Sequence, residues 1–271
     1  MICKMSGLSA YPGITNAKDA LLWERDYRES GSGSELSSVI EKLGLAVQRT
    51  VWTRRADTWD HANNAGLERV MEAVIGKAAA LPDSDVLDLG CGSGQLSLPL
   101  SKKVRSLLAV DISPRMIELL ASKLKDAEVG NVEVLVASIQ QLDFAESRFD
   151  LIVSNYALHH LSDVEKSWIV AHGFQWLKPG GRMVIGDMMF GRGGSRQDRD
   201  IIASKISVML RKGPGGWWRI AKNAVRYLVR VQEKPISQQA WVRIFDQAGF
   251  SDVGSESVVS EAGIVFGSKT L

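Results

Sequence analysis

The chain has 271 residues, of which 45% are hydrophobic and 24% are charged, and its net charge is +2. This composition is that of a soluble globular protein long enough for one large α/β domain with insertions. The N-terminus lacks a signal-peptide core, and no apolar run approaches the roughly 20 residues that span a bilayer. With only Cys3 and Cys91 present, no disulfide and no metal site is expected. These features predict a cytoplasmic protein.

Residues 1–55 are predicted to form a partly helical N-terminal extension. A polar break at Gly31–Ser38 precedes a helical pattern that extends to Trp52. A second pattern, between Thr58 and Ala80, places its apolar residues at the spacing of an amphipathic helix. These apolar residues are Leu67, Val70, Met71, Val74 and Ile75.

Residues 56–190 alternate between strand and helix patterns, which predicts a doubly wound parallel sheet. The predicted strands are 86–89, 107–111, 132–138, 149–155 and 182–187. The predicted helices between them are 95–102, 114–125 and 164–177, and KPGG at 178–181 is predicted to be a turn. Residues 236–271 return to the sheet with a helix and two strands, 253–259 and 263–268, joined by a hairpin turn.

Residues 191–235 form a predicted basic helical lid insertion with eleven Lys and Arg residues and three acidic ones. Within it, 217–231 separates an apolar face from a charged face. Three hypotheses remain open for this segment. It covers the active site as a lid, it contacts an anionic membrane surface, or it binds nucleic acid, which ranks last because no nucleic-acid module is present.

The stretch VLDLGCGSG, Val86 to Gly94, is a strand that runs into a glycine turn. Its glycines do not match the dinucleotide pattern, because Gln95 stands at the third glycine position, and no Lys follows as in a P-loop. Asp88 lies at the end of the strand, where it would repel a pyrophosphate. Asp111 ends the next strand at a spacing suited to a ribose hydroxyl. The two acids therefore favour a nucleoside with a cationic tail, and S-adenosylmethionine has that chemistry.

Four ordered motifs, VLDLGCGSG, VDISPRMI, FDLIVSNYALHHL and LKPGGRMVI, resemble those of class I S-adenosylmethionine-dependent methyltransferases. The resemblance covers roughly residues 55–190 and the last thirty or so, and it is greatest to the quinone and other small-molecule methyltransferases. It implies a Rossmann-like α/β fold with a seven-stranded sheet whose last strand is antiparallel.

The resemblance also implies a set of cofactor-binding residues. Asp88 and the turn Gly90-Cys91-Gly92, with Gly94, would hold the methionine part, Asp111 the ribose, and Ile112 and Met116 the adenine. Ser138 replaces the usual acid at the end of the third strand, so backbone groups near Ile139 are expected to contribute more. Asn155 and Tyr156 are expected to line the cofactor or substrate cavity.

His159, His160 and Asp187 are the candidate catalytic residues, because a hydroxyl nucleophile needs a base near neutral pH. The alternative is that both histidines only pack against the following helix. The predicted reaction is in-line methyl transfer to O, N or C of a small, apolar acceptor, which could also be lipid-like or anionic. The alternatives are a non-catalytic cofactor-binding regulatory protein and an RNA or protein methyltransferase.

Overall fold

A computed structural model describes residues 35–59, 65–191 and 234–271 of the chain. They form a seven-stranded mixed sheet in the order β3-β2-β1-β4-β5-β7-β6. The strands are β1 (Asp85–Leu89), β2 (Ser106–Asp111), β3 (Val132–Val136), β4 (Phe149–Asn155), β5 (Leu177–Met188), β6 (Ser251–Val259) and β7 (Ala262–Ser268). Strands β1 to β5 pair in parallel, and β7 is antiparallel to both β5 and β6. The predicted Rossmann-like sheet with a reversed last strand is confirmed.

Six α-helices accompany the sheet among the described residues: α1 (Glu35–Trp59), α2 (Ala65–Ala78), α3 (Ser97–Ser101), α4 (Pro114–Asp126), α5 (Asp163–Trp176) and α6 (Gln238–Ala248). Short 3-10 turns at Ile139–Gln141 and Leu158–His160 follow β3 and β4. Helices cover both faces of the sheet, and each face buries its own apolar cluster. Val70 and Val74 of α2 lie in one cluster, and Trp176 and Trp241 lie in the other, as a doubly wound sheet requires.

Local signals set the helix boundaries. The Ser113 hydroxyl accepts a hydrogen bond from the amide of Met116, so Ser113 is the N-cap of α4. Ser162 and Glu165 form a capping box at α5. Gly249 ends α6 with φ +95°, a left-handed conformation that glycine adopts without a Cβ clash.

Several boundaries differ from the sequence prediction, among them the starts of β5 and α3. Strand β5 begins at Leu177 rather than Arg182, because Leu177 already pairs with Phe149. Pairing with β4 resumes at Arg182, so 178–181, predicted as a turn, form an irregularity within β5 in which Gly180 has φ +78°. The helix predicted to begin at Gln95 begins at Ser97, since residues 95–96 still belong to the turn that follows the glycines.

The N-terminal helix is longer than its predicted core. It extends across residue 55, where the sequence predicts the end of the N-terminal extension. Residues 192–233 of the predicted basic insertion, including 217–231, lie outside the described residues, so the lid and membrane hypotheses stay predictions. None of the helices within the described ranges is long and apolar enough to cross a membrane.

Candidate active site

A cleft opens where β1, β2 and β4 end, at the carboxyl edge of the sheet, where ligands of doubly wound sheets bind. It encloses about 910 Å³, including space open to solvent. The predicted residues that line it are Asp88, Gly90, Cys91, Gly92, Asp111, Ile112, Met116, Ile139, Asn155, Tyr156 and His160. The other predicted residues, Gly94, Ser138, His159 and Asp187, do not line it.

The glycine turn after β1 is held against β2. The amides of Gly90 and Cys91 both donate hydrogen bonds to the carbonyl of Val110, at 2.8 and 3.0 Å. Gly90, Gly92 and Gly94 have φ values of +73°, +53° and +89°, so all three positions need the conformational freedom of glycine.

The surroundings of these glycines differ. A Cβ on Gly90 would lie 2.3 Å from the Cβ of Ala157, and one on Gly94 would lie 2.3 Å from Cδ1 of Leu120. A Cβ on Gly92 would meet nothing within 4 Å. Gly94 therefore permits close packing of the turn on α4. Gly92, by contrast, leaves an open surface on the cleft where a ligand can approach the backbone.

Asp88 is a buried carboxylate with one unused oxygen. Only 1% of the residue is exposed, and its Oδ2 accepts a 2.5 Å hydrogen bond from the Ser97 hydroxyl. Its Oδ1 has no hydrogen-bond partner within the described part of the chain. Burial, together with a smaller contribution from the nearby Asp111 charge, raises the pKa of Asp88 to about 7. A cationic ligand group would satisfy Oδ1 and favour the ionised form.

Asp111 joins the two loops that border the cleft. Its Oδ2 accepts the amide of Gly92 at 2.9 Å, and its Oδ1 accepts the amide of Ser113 at 2.8 Å. Burial raises the pKa of this carboxyl, although both hydrogen bonds act to lower it. Each carboxylate oxygen can accept a further hydrogen bond, so the geometry suits a diol such as a ribose.

Cys91 and Met116 both contribute apolar side chains to the lining of the cleft. Burial, together with the charges of Asp88 and Asp111, raises the pKa of the Cys91 thiol well above its ordinary value. The thiol therefore stays protonated and is a poor nucleophile. Met116, 2% exposed on α4, lines the cleft beside Ile112, which provides an apolar surface for a flat heterocycle.

The end of β3 departs from the sequence expectation at Ser138. Its hydroxyl donates a 2.5 Å hydrogen bond to Gln140 Oε1 and does not line the cleft, whereas Ile139 and Gln140 do. Gln140 in turn donates to Glu165 Oε1 at 2.9 Å. Gln140 is thus a cleft residue that the sequence analysis missed, and Ser138 supports it through this hydrogen bond.

Asn155 and Tyr156 form the cleft surface where β4 ends. Tyr156 has φ +53°, an unusual value for a bulky residue, and its amide donates to the carbonyl of Gly186 at 2.8 Å. Burial raises the pKa of the Tyr156 hydroxyl, and Glu261 and Asp187 add to the effect. Asn155 Oδ1 is buried without a hydrogen-bond partner from the described residues.

The three candidate catalytic residues occupy two different environments. His159 Nδ1 lies 2.5 Å from Asp187 Oδ1, and the two side chains are 7% and 0% exposed. His160 lines the cleft, and its ring centroid lies 4.0 Å from that of His159. The two histidines therefore lie ring against ring, but only His160 faces the cleft.

Residues from α1 and α2 complete the cleft, and the sequence analysis assigned them no role. They are Gln48 and Trp52 on α1 and Leu67 on α2. Leu67 was predicted only as part of an amphipathic stripe. Among the described residues, no group of His, Cys, Asp and Glu could hold a metal ion.

Comparison with known proteins agrees with this architecture. Residues 86–181 match a family model described as a methyltransferase domain. The ubiquinone/menaquinone biosynthesis C-methyltransferase UbiE of Vibrio vulnificus is 31% identical over 157 residues, covering 55% of this chain and 60% of the relative. The uncharacterized methyltransferase YcgJ of Bacillus subtilis is 33% identical over 114 residues, covering 42% of this chain and 44% of the relative.

The chain thus spans about half the length of these relatives. Among solved structures, Burkholderia thailandensis 1,6-didemethyltoxoflavin-N1-methyltransferase, bound to 1,6-didemethyltoxoflavin and S-adenosylhomocysteine, matches 83% of this chain and 88% of its own. The TM-score is 0.58 at 18% identity, which is a likeness of fold. Residues 86–181 are thus similar to a methyltransferase domain, and the fold around them is shared with a solved methyltransferase structure.

Proposed function

We propose that this protein transfers a methyl group from S-adenosylmethionine to a small, apolar acceptor. The observation that carries the proposal is the buried Asp88 carboxylate, whose Oδ1 has no partner among the described residues, beside the open surface of Gly92. An unpaired buried carboxylate is costly unless a positive group reaches it. The α-ammonium of the cofactor has the required charge, and a phosphate does not.

The remaining cleft residues fit the rest of the cofactor. Asp111 would accept the ribose hydroxyls, and Ile112, Met116 and Ile139 would surround the adenine, with Gln140 available for hydrogen bonding. Gly90, Cys91 and Gly92 would lie along the methionine part, and Gly94 would support them by close packing. Asn155 and Tyr156 would border the methionine end. When bound, the cofactor supplies an activated methyl group on its sulfonium.

Proton handling is assigned to the two histidines and Asp187. If His159 Nδ1 donates to Asp187 Oδ1, the tautomer is fixed and Nε2 is left as the acceptor nitrogen. Because His159 lies outside the cleft lining, we assign it and Asp187 to positioning His160. We assign His160, which lines the cleft, to accepting the acceptor's proton.

The acceptor in this proposal is a hydroquinone-like ring, the reduced form of a quinone, whose ring carbon is nucleophilic once a neighbouring hydroxyl has given up its proton, and that ring carbon takes the methyl group. The support comes from the name of the matched Vibrio relative, a quinone C-methyltransferase. The charged residues among those lining the described cleft are Asp88 and Asp111, both assigned to the cofactor. An apolar acceptor is therefore favoured over an anionic one on this part of the surface.

Two measurements test the proposal. Calorimetry with S-adenosylmethionine should give one binding site, and NAD should not bind. Transfer of radiolabelled methyl groups into fractionated cell extract should label the small-molecule or lipid fraction, and Asp88→Asn should abolish that label. Cofactor binding without transfer to any fraction would instead support a regulatory binding protein, and label in RNA or protein would contradict a small acceptor.

A further inference from the structure

Helix α1 contributes an aromatic surface to the cleft. Gln48 and Trp52, four residues apart and hence on one face of the helix, both line it. The Trp52 ring meets the His160 ring edge to face, with centroids 5.0 Å apart and planes at 62°. An indole from α1 therefore touches the imidazole that we assign to proton transfer.

A second face of α1, next to the face that lines the cleft, contacts the N-terminal end of α4. The hydroxyls of Thr53 and Ser113 lie 3.2 Å apart, and Arg115 forms a 2.8 Å ion pair with Asp57. Thr53 and Asp57 are again four residues apart, so they form a second row beside Gln48 and Trp52. These contacts set the distance between Trp52 and the rest of the cleft.

The contact between Thr53 and Ser113 also connects α1 to the residues that are proposed to bind the cofactor. Ser113, which meets Thr53, also donates its amide to Asp111 Oδ1. Asp111 Oδ2 in turn holds the amide of Gly92 in the glycine turn. Hydrogen bonds therefore connect Thr53, the neighbour of Trp52 on α1, through Ser113 to Asp111, the carboxylate that is proposed to hold the ribose.

The part of the cleft not assigned to the cofactor is apolar and aromatic with neutral amides. It includes Gln48, Trp52, Leu67, Gln95, His160 and Leu161. We infer that Trp52 is a specificity-determining residue that packs against a planar, uncharged acceptor ring, with the Gln48 amide one turn away to hydrogen-bond a ring oxygen. This inference rests on the proposed function and adds the residue that selects the acceptor.

The test measures binding of 1,4-naphthoquinone, a planar and uncharged probe, to protein saturated with S-adenosylhomocysteine. Trp52→Leu, which removes the ring and keeps an apolar side chain, should weaken probe binding about tenfold. Trp52→Phe should restore most of it. Thr53→Val, which removes the hydroxyl contact with Ser113, should weaken the probe by a smaller factor. Affinity for S-adenosylhomocysteine should change less than about twofold in the two Trp52 variants.

Trp168→Phe is the matched control, because Trp168 lies on α5 against Trp176 and His172 and does not line the cleft. It should leave probe binding unchanged. Equal binding of the probe by wild type and Trp52→Leu, or no probe binding by wild type, would overturn the inference. Failure of S-adenosylhomocysteine to bind wild type would instead overturn the proposed function, so the two failures are separate.

Discussion

Ser97 donates a 2.5 Å hydrogen bond to one oxygen of Asp88, and the other oxygen accepts none from the described residues. This half-satisfied carboxylate is buried at the end of β1, and burial raises its pKa from 3.8 to about 7. Near pH 7 this acid is therefore present in both its protonated and its ionised form where the cofactor is proposed to place a positive charge. Two consequences for pH follow from this relationship.

Cofactor affinity should rise with pH through the neutral range. Because the ionised fraction of an acid with a pKa of about 7 grows from about 0.1 to about 0.9 between pH 6 and 8, affinity should rise about tenfold and then level off. Calorimetry across this range checks it. Asp88→Asn should bind weakly at every pH, and a wild-type affinity that is flat from pH 6 to 8 would contradict the role of Asp88.

The stability of the unliganded protein should respond in the opposite direction. Since the folded pKa of Asp88 lies above its ordinary value, the folded state binds more protons between pH 4 and 7. The contribution of Asp88 to the free energy of unfolding therefore falls as pH rises through that window. Urea unfolding at pH 5 and pH 8 measures the difference. Asp88→Asn should reduce it, and an unaltered difference would assign the effect to other groups.

Two substitutions in the glycine turn should separate packing from ligand binding. Gly94→Ala forces a Cβ to within 2.3 Å of Leu120 at a φ of +89°. We expect a loss of about 3 kcal/mol in the free energy of unfolding. Gly92→Ala meets open space, so only the backbone cost of about 1–2 kcal/mol applies. Its Cβ would nevertheless occupy the cleft surface and lower cofactor affinity.

Denaturant unfolding and calorimetry together check this pair. The expected pattern is a larger stability loss for Gly94→Ala and a larger affinity loss, measured on folded protein, for Gly92→Ala. The reverse pattern would mean that the open face of Gly92 is not where the cofactor lies.

Asp187→Asn should impair turnover more than binding. The substitution keeps the size of the side chain but removes the charge that orients His159 across 2.5 Å. If the pair positions His160 for proton transfer, kcat should fall by about 10² and its pH profile should shift, while cofactor affinity is retained. His160→Phe should show a comparable loss. Unchanged kcat in both variants would leave the histidines as packing residues only.

A group of ion pairs lies at the opposite edge of the sheet, where the strands begin. It should affect the free energy of unfolding and leave cofactor affinity unchanged. Lys178 Nζ lies 3.1 Å from Asp85 Oδ2 and 2.7 Å from Asp150 Oδ2, and Arg105 also pairs with Asp85. The hydrogen bond from Arg105 is the main cause that lowers the pKa of Asp85. The stabilisation that the Asp85 carboxylate contributes is thus present above pH 4 and is lost as this carboxyl is protonated at lower pH.

Lys178→Met should lower the free energy of unfolding by about 1 kcal/mol at neutral pH, and less in high salt, because the charges are partly exposed. Thermal unfolding at two salt concentrations measures this. Cofactor affinity should not change, and it serves as the internal control. A loss of affinity would show that the two edges of the sheet are coupled.

The sequence analysis predicted the sheet because each strand carries its own local signal. FDLIVSN matches β4 residue for residue, and Ser113, Ser237 and Gly249 act as the caps that their residue types indicate. The cofactor side of the cleft was predictable for the same reason. Asp88, Gly90 and Gly92 belong to one continuous motif, and Asp111 ends the next strand.

The acceptor side depends on contacts between distant parts of the chain. Trp52 meets His160, and Thr53 meets Ser113 across 60 positions, so no local pattern indicates that α1 reaches the cleft. Ser138 was implied by the resemblance, as the residue that replaces the usual acid at the end of the third strand, but its side chain hydrogen-bonds to Gln140. The direction in which a loop side chain such as that of Ser138 points is decided by tertiary packing. The pattern of a single sequence carries no information about that packing.

The contact between Gly90 and Ala157 has a consequence for how the site is assembled. These residues belong to the loops after β1 and β4, and they approach so closely that a Cβ on Gly90 would lie 2.3 Å from that of Ala157. The spacing between the glycine turn and the histidine-bearing loop is therefore set by the smallest side chains that the backbone allows. The packing of the fold itself therefore holds these two loops together, so the entropy of ordering them is lost during folding.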